Sequence, residues 1–528
     1  MDTDSALAES DTQSRFDDLR RASGFILAPI AFAITFSLTA GQLTPAGRSL
    51  AAIMSAVCVL WITESIPLAV TALLGAVLCI LLGVASATAV LARFADPIVF
   101  LFIGSFMLAR AMSLHGLDRR IALSFLSIPW ISAHPARMLG GLGLITALIS
   151  MWVSNTATTA MMLPIALGIL GAVHKVRQTS ARPAAGATDL RHWPLATGMM
   201  LMIAYAASIG GIGTPVGSPP NLITIGLIQE SLGVEITFFQ WMSLCVPILV
   251  AMGGALFALL VVLHPDRKRT AESASHPTSD GADATRSMAQ YIAHERAALG
   301  RWTPGQINAL IAFIVAIVLW TLPGFLSVFL DRTTPLLAFF EARLPEPVVA
   351  LLAAILLFVL PTNLRRLEFT LDWSQAVRID WGTILLFGGG LSLGTLMFET
   401  GVARALADGI TGWTGANSLW SLTAAAIALG IIVSEATSNT AAANMIVPVA
   451  IALAQSAGVS PLPPALGACL GASYGFMLPV STPPNTIVYG SGLVPITKMI
   501  RAGLIFDLVG FAIILAGLRV LCPLLGLT

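Results

Sequence analysis

Along most of this chain, apolar residues run on without the regular polar interruptions of a surface helix. The runs fall at about 24–43, 48–63, 66–92, 98–114, 138–173, 195–229, 239–263, 304–323, 347–361, 381–398, 418–457, 464–495 and 502–527. A helix needs ~20 mostly apolar residues to cross a hydrocarbon core, so most of these runs predict single spans. Four are different. The runs at 138–173 and 418–457 each carry Ser-Asn-Thr near the middle, and those at 195–229 and 464–495 each carry a Gly/Pro cluster. Each of the four is expected to be a hairpin that enters and leaves one side, or a broken helix that crosses.

Orientation follows from Lys and Arg, which concentrate on the cytoplasmic side. Basic connections carry Arg119 and Arg120; Lys175, Arg177, Arg182 and Arg191; Arg267, Lys268, Arg269, Arg286, Arg296 and Arg301; Arg365 and Arg366; and Lys498 and Arg501. They share one side if the N-terminus is cytoplasmic and both Ser-Asn-Thr runs are re-entrant. The prediction is an all-α polytopic membrane protein with about eleven spans and two hairpins. The first half covers 23–263 and the second half 304–528. Residues 1–22 are polar and lack the apolar core of a signal peptide. They are expected to be a disordered cytoplasmic tail. Residues 264–303 read as a cytoplasmic linker with a short amphipathic helix at 286–299 and no folded domain.

Composition agrees with this pattern. Apolar residues make up 56% of the chain and charged residues 10%, against about 25% charged in soluble domains. A net charge of +1 suggests no nucleic-acid partner. The five cysteines show no CxxC spacing and the seven histidines no HxxxH pair, so neither a disulfide framework nor a zinc enzyme is indicated.

The chain repeats itself. Ser154-Asn155-Thr156-Ala157 with Pro164 matches Ser438-Asn439-Thr440-Ala441 with Pro448. Gly217-Ser218-Pro219-Pro220-Asn221 matches Ser481-Thr482-Pro483-Pro484-Asn485 in the same order. Ser154 and Ser218 are 64 positions apart, and Ser438 and Thr482 are 44 apart; the excess is about the length of the 175–192 connection. With the first hairpin entering from the cytoplasm and the second from outside, this is an inverted repeat. That is the usual architecture of secondary transporters, whose site lies near the midplane.

Ser, Thr and Asn side chains, with the open backbone N–H groups of a helix start, are donors for an anion. The Pro-Pro breaks are expected to leave carbonyls that suit a small cation. Residues 138–174, 194–229 and 436–497 contain no Asp, Glu, Lys or Arg. An anion bound among them has no fixed countercharge, so cations bound beside it are expected to supply one. Glu435 is the nearest acid and is expected to orient the hairpin or serve a proton; Glu64 is another acid in an apolar setting. As isolated features, such polar residues are often interhelical glue worth ~0.6 kcal/mol. The duplicated spacing argues against that reading here.

These strings resemble the divalent anion:sodium symporter family, the INDY-type di- and tricarboxylate transporters. The likeness rests on WITESIPLAVTALL at 61–74, SMWVSNTATTAMMLP at 150–164, VGSPPN at 216–221, SEATSNTAAANMIVP at 434–448 and FMLPVSTPPNTIVYGSG at 476–492. The resemblance implies a homodimer in the membrane, with a scaffold domain and a transport domain that moves like an elevator. It implies one sodium ion held by Ser150, Ser154, Asn155 and Gly217, and a second by Ser434, Asn439, Ser481 and Pro483. Substrate carboxylates would meet Asn155, Thr156, Ser218, Asn439, Thr440 and Thr482.

The expected function is Na⁺-coupled symport of C4-dicarboxylates such as succinate, malate or fumarate across the cell membrane. The alternatives are transport of citrate, sulfate or another divalent anion, or Na⁺-independent exchange. An intramembrane hydrolase would need a base near its nucleophile, and the Ser-Asn-Thr serines have no His or acid pair beside them in sequence. A channel would need a continuous polar pore, whereas these polar clusters converge at one depth.

Overall fold

The computed structural model describes residues 3–180, 193–264, 279–331, 334–414 and 418–528. Of the basic connections, Arg182, Arg191, Arg267, Lys268 and Arg269 lie outside the described residues. Ten described helices are long and apolar enough to cross a membrane. An eleventh span arises if Pro335–Arg343 and Glu346–Val359, bent by 70°, are taken together. The chain is a nearly all-helical, multi-pass membrane protein. Among the described residues the one β feature is a ribbon pairing Pro361–Asn363 with Glu368–Phe369. The ten helices differ in membership from the sequence-based set. They include the arms Asn155–Lys175 and Leu419–Ala436, while Leu68–Leu81 and Leu462–Ala472 are shorter.

Many helices start on a proline, whose fixed φ suits the first turn and whose missing N–H costs nothing there. Pro45–Thr63, Pro97–Leu114, Pro135–Ser150, Pro194–Gly211, Pro219–Leu232 and Pro304–Leu326 all begin this way. Thr237 and Thr303 close reciprocal caps with Gln240 and Gln306, which fix the starts of Phe238–Leu263 and Pro304–Leu326.

The two halves interlock. Pro97–Leu114 packs on Glu346–Val359, and Leu68–Leu81 packs on Trp381–Glu399. Both crossings are close because a glycine sits at each. A Cβ on Gly104 would lie 2.6 Å from the Ala350 carbonyl carbon, and one on Gly389 would lie 2.6 Å from Ala72 Cβ. Small residues that let backbones approach are the main way helices associate within lipid.

The repeated runs form helical hairpins and broken helices. The first hairpin joins Pro135–Ser150 to Asn155–Ser180, and the second joins Leu419–Ala436 to Asn439–Ser456. The broken helices are Pro194–Gly211 with Pro219–Leu232, and Leu462–Ala472 with Pro483–Gly490. The first piece of each break packs on its own half's hairpin. The second piece crosses over: Pro219–Leu232 packs on Asn439–Ser456, and Pro483–Gly490 packs on Asn155–Ser180.

Two expectations about the polar segments need correction. The tail read as disordered is helical from Thr3, continuous with the first span to Leu38. Arg20 on that helix pairs with Glu64 at 3.0 Å, so this acid is tied to a cation. The linker helix is Ser279–Ala298 and begins well before residue 286. It is docked on the first half. Ser287 Oγ donates to Ala172 O at 3.0 Å, and Glu295 pairs with Arg119 at 2.7 Å.

Candidate functional site

Each hairpin tip sits where one helix ends and the next begins. Ser150 is the last residue of the first arm and Asn155 the first of the second arm. Ser154 Oγ accepts from Ala157 N at 3.3 Å, so it caps the helix start. The second tip repeats this geometry, with Ser438 Oγ accepting from Ala441 N at 3.2 Å. Both Asn-Thr pairs therefore stand in the first turn of a helix, at its positive end.

The buried serine just before each tip organises an oxygen cluster. Ser150 Oγ lies 2.7 Å from Asn155 Oδ1 and 2.7 Å from Ala207 O. Ser434 Oγ lies 2.8 Å from Asn439 Oδ1 and 2.8 Å from Ala472 O. A hydroxyl has one proton, so it can donate to only one of its two acceptors. Each cluster therefore brings three oxygens together with one hydrogen, which makes it electron-rich and suited to a small hard cation.

The break closes over the first cluster. A Cβ on Gly211 would lie 2.5 Å from Asn155 Oδ1, and one on Gly217 would lie 2.6 Å from Gly211 O and 2.8 Å from Met151 O. At Gly217 the contacts are with backbone, so only glycine fits; at Gly211 they are with the Asn155 amide, which an added methyl would push aside. In the second half Gly475 takes the matching position. A Cβ there would meet Ser434 O, Ser434 Oγ and Ser481 Cβ, each at 3.1 Å.

The asparagine of each Pro-Pro-Asn has a different task. Asn221 Nδ2 donates to Gly211 O at 2.9 Å and Thr214 O at 2.8 Å. Asn485 Nδ2 donates to Gly475 O and Leu478 O, each at 3.0 Å. The offsets along the chain are the same in both halves. These amides satisfy carbonyls that the helix break frees, so they tether the break. The expectation that the break leaves its carbonyls unpaired does not hold for these four.

Uncommitted donors remain at the two tips. The hydroxyls of Thr156 and Thr440 and the amide nitrogens of Asn155 and Asn439 make no hydrogen bond among the described residues. Ser218 caps Pro219–Leu232 by position but its side chain makes no cap hydrogen bond. Thr482 Oγ1 accepts from Asn485 N at 3.4 Å, which leaves its own proton to donate. The expected substrate-binding set is thus a set of uncommitted donors.

The expected cation ligands divide. Ser150 with Asn155, and Ser434 with Asn439, are joined directly. Gly217 lies beside them through Gly211 and Met151. Ser154 is nearby but serves as a cap. Ser481 reaches the second cluster through Gly475, while its hydroxyl lies 2.6 Å from Glu435 Oε2. Pro483 is exposed and no described contact joins it to Ser434 or Asn439. Sequence reasoning missed the carbonyls of Ala207 and Ala472, and the paired glycines Gly211 and Gly475. The glycines carry a signal: each stands ten positions before the asparagine of its Pro-Pro-Asn.

With the geometry in hand, residues 21–527 match the model of a family described as the sodium:sulfate symporter transmembrane region. The chain belongs to this symporter family. An uncharacterized transporter of Haemophilus influenzae is 33% identical over 499 residues, covering 93% of this chain and 95% of that protein. The sodium-dependent dicarboxylate transporter SdcS of Staphylococcus saprophyticus is 32% identical over 502 residues, covering 95% of this chain and 91% of that protein. Its Staphylococcus aureus (strain USA300) counterpart is 31% identical over 505 residues with the same coverage. This sodium:sulfate symporter family member is a transporter and not an enzyme, and its duplicated hairpins and breaks form its candidate translocation site.

Proposed function

We propose that the protein is a sodium-coupled symporter that moves C4-dicarboxylates, such as succinate, malate or fumarate, into the cell. The observation that carries this reading is the duplicated oxygen cluster: three oxygens and one hydrogen, beside uncommitted Asn and Thr donors. Sodium binds at each cluster, at Ser150, Asn155 and the Gly217 break, and at Ser434, Asn439 and the Ser481 break. The anion binds between the tips on Asn155, Thr156, Ser218, Asn439, Thr440 and Thr482. No Lys or Arg lies in 138–174, 194–229 or 436–497, so the two sodium ions supply the charge the dianion needs. Relatives named as sodium-dependent dicarboxylate transporters support the choice of ion and substrate class.

The hairpins, the broken helices and the helices Phe238–Leu263 and Ile496–Leu524 form the moving transport domain of a homodimer in the cell membrane. The helices before residue 115 and Pro304–Glu399 form its scaffold. Support comes from Trp381–Glu399, whose Gly390 leaves room against Asn444 of the second hairpin: a Cβ there would lie 1.7 Å from Asn444 Oδ1. Such a smooth face suits sliding.

The test is uptake of radiolabelled succinate into proteoliposomes with and without an inward Na⁺ gradient. Gradient-dependent uptake is expected, with uptake lost in Asn155→Ala and Asn439→Ala while the proteins still fold. Equal uptake with and without the gradient would point to exchange. The family description names sulfate. Competition among succinate, citrate and sulfate decides the substrate, and inhibition by sulfate alone would favour that second reading.

A further inference from the structure

The two clusters obey the repeat, but the walls around them are held in different ways. In the second half the tip grips its own break. Glu435 follows Ser434, and its carboxylate accepts from Met477 N at 2.8 Å and from Leu478 N at 3.3 Å. Ser481 Oγ lies 2.6 Å from the same group. The matching position in the first half is Met151, whose thioether cannot accept in this way. There the break reaches the tip through the Thr214 hydroxyl, which donates to Met151 O.

The first half is held from outside instead, by the start of Phe238–Leu263. Trp152, in the tip, stacks on Phe238 with ring centres 6.0 Å apart and planes 14° apart. Close by on the same helix, Trp241 Nε1 donates to Ile212 O of the break at 2.9 Å. One helix start thus touches both walls of the first cluster. That start is itself seated on the scaffold. Glu346 Oε1 accepts from Phe238 N, so a carboxylate caps the positive end of the helix. Trp320 also stacks on Phe238, at 4.8 Å and 10°, and its Nε1 donates to Glu346 O at 3.0 Å. Phe313 meets Trp152 edge-on at 5.7 Å. The second tip has Ala436 where the first has Trp152, and it meets the scaffold through the Thr437 hydroxyl, which donates to Trp61 O at 2.9 Å.

We infer that Phe238, Trp320 and Glu346 are positioning residues for the first sodium cluster, and that they tie its cation affinity to the seat of Phe238–Leu263 on the scaffold. This inference rests on the sodium-coupled reading above. A bound ligand shifts an equilibrium between two positions only by its difference in affinity for them. Moving Phe238–Leu263 off Glu346 and Trp320 removes the backing from the ring on which Trp152 leans, and takes Phe313 from its edge. The first cluster therefore binds sodium less tightly in the unseated position. The second cluster, closed by Glu435 within its own half, keeps its affinity in both.

The experiment measures sodium-activated succinate uptake in proteoliposomes for the wild type, Trp320→Ala, Trp320→Phe, Glu346→Gln and Phe329→Ala, with thermal unfolding as a check on folding. Trp320→Ala is expected to raise the sodium concentration for half-maximal uptake by about two- to tenfold. Uptake at saturating sodium returns to the wild-type level. Trp320→Phe keeps a ring against Phe238 and restores most of the affinity. Glu346→Gln has the same shape but a weaker, neutral acceptor, and shifts half-saturation in the same direction. It carries the test if Trp320→Ala folds poorly. Phe329→Ala, an exposed ring outside the stack, is expected to change nothing. Wild-type half-saturation in both Trp320→Ala and Glu346→Gln, or a loss of uptake that saturating sodium does not restore, would overturn the positioning role while leaving the two-cluster reading intact. Wild-type uptake that ignores sodium would overturn both.

Discussion

Replacing Gly211 with alanine tests the first oxygen cluster without touching a proposed ligand. The new methyl would lie 2.5 Å from Asn155 Oδ1 and 2.9 Å from its Nδ2. Ordinary contact begins near 3.4 Å, so the amide must retreat by about 0.9 Å. The Ser150–Asn155 contact, now 2.7 Å, has no such slack before it leaves hydrogen-bonding range. A well-formed metal site tolerates about 0.2 Å of error in its ligand distances. Asn155 Oδ1 is therefore withdrawn from the proposed cation site. Loss of support for one ligand typically costs about 10–100-fold in affinity, or about 1.4–2.8 kcal/mol.

The repeat supplies an internal comparison. At Gly475 the added methyl meets its neighbours at 3.1 Å, which asks for a shift of about 0.3 Å. Gly475→Ala is expected to change sodium half-saturation only a few-fold. Gly253→Ala, with nothing within 4 Å, is expected to leave it unchanged. The assay is sodium-activated succinate uptake in proteoliposomes, with thermal unfolding as a check on folding. Gly211→Ala protein with wild-type sodium half-saturation would refute Asn155 as a cation ligand. Equal, large losses at Gly211 and Gly475 would refute the steric argument.

Two further outcomes follow from the same geometry. Asn221→Ala leaves Gly211 O without its donor and Asn485→Ala leaves Gly475 O without its donor, at about 1–3 kcal/mol each, while Thr214 O and Leu478 O keep the backbone amides of Gly217 and Ser481. Both are expected to lower the thermal unfolding midpoint, and added sodium recovers only part of that loss, because the tether is not an ion ligand. His264, just past Phe238–Leu263, has its pKa lowered to about 4 by burial and by Lys498 and Arg501. The unfolded chain takes up the proton near pH 6.5 while the folded protein refuses it. Stability is therefore fully present above that window and falls as pH drops from about 6.5 toward 4, and His264→Asn flattens the slope in unfolding scans.

Much of the fold was legible because a spanning helix must be apolar along its whole length, and a run such as 239–263 has no other reading. The repeat was legible because its markers, Ser-Asn-Thr and Pro-Pro-Asn, are polar residues in apolar surroundings. What stayed hidden has one of two causes. Ala207 and Ala472 contribute backbone carbonyls, and a carbonyl leaves no mark in the sequence. Glu346 is visible as an acid at the start of an apolar run, but its partner Phe238 is 108 positions away, and only tertiary packing joins them. The asparagines of Pro-Pro-Asn belong between these cases. Their presence was plain, but ligand and tether use the same amide, and only the donor geometry separates them.

That separation bears on how coupling works. The uncommitted donors, on Asn155, Thr156, Ser218, Asn439, Thr440 and Thr482, are all neutral dipoles. The electron-rich oxygens lie just behind them: the same asparagine presents Oδ1 to the serine cluster and leaves Nδ2 for the anion. A cation on Oδ1 draws electron density through the amide and makes Nδ2 a better donor, and it also adds a positive charge a few ångströms from the carboxylate. On the proposed assignment the two ligands share a side chain in each half, and linkage requires their coupling to be mutual. If saturating sodium raises succinate affinity by some factor, saturating succinate must raise overall sodium affinity by the same factor. Equilibrium binding of each ligand in detergent, with and without the other, measures both. A succinate affinity that ignores sodium would show that the asparagines do not connect the two sites, and the countercharge argument would fail with it.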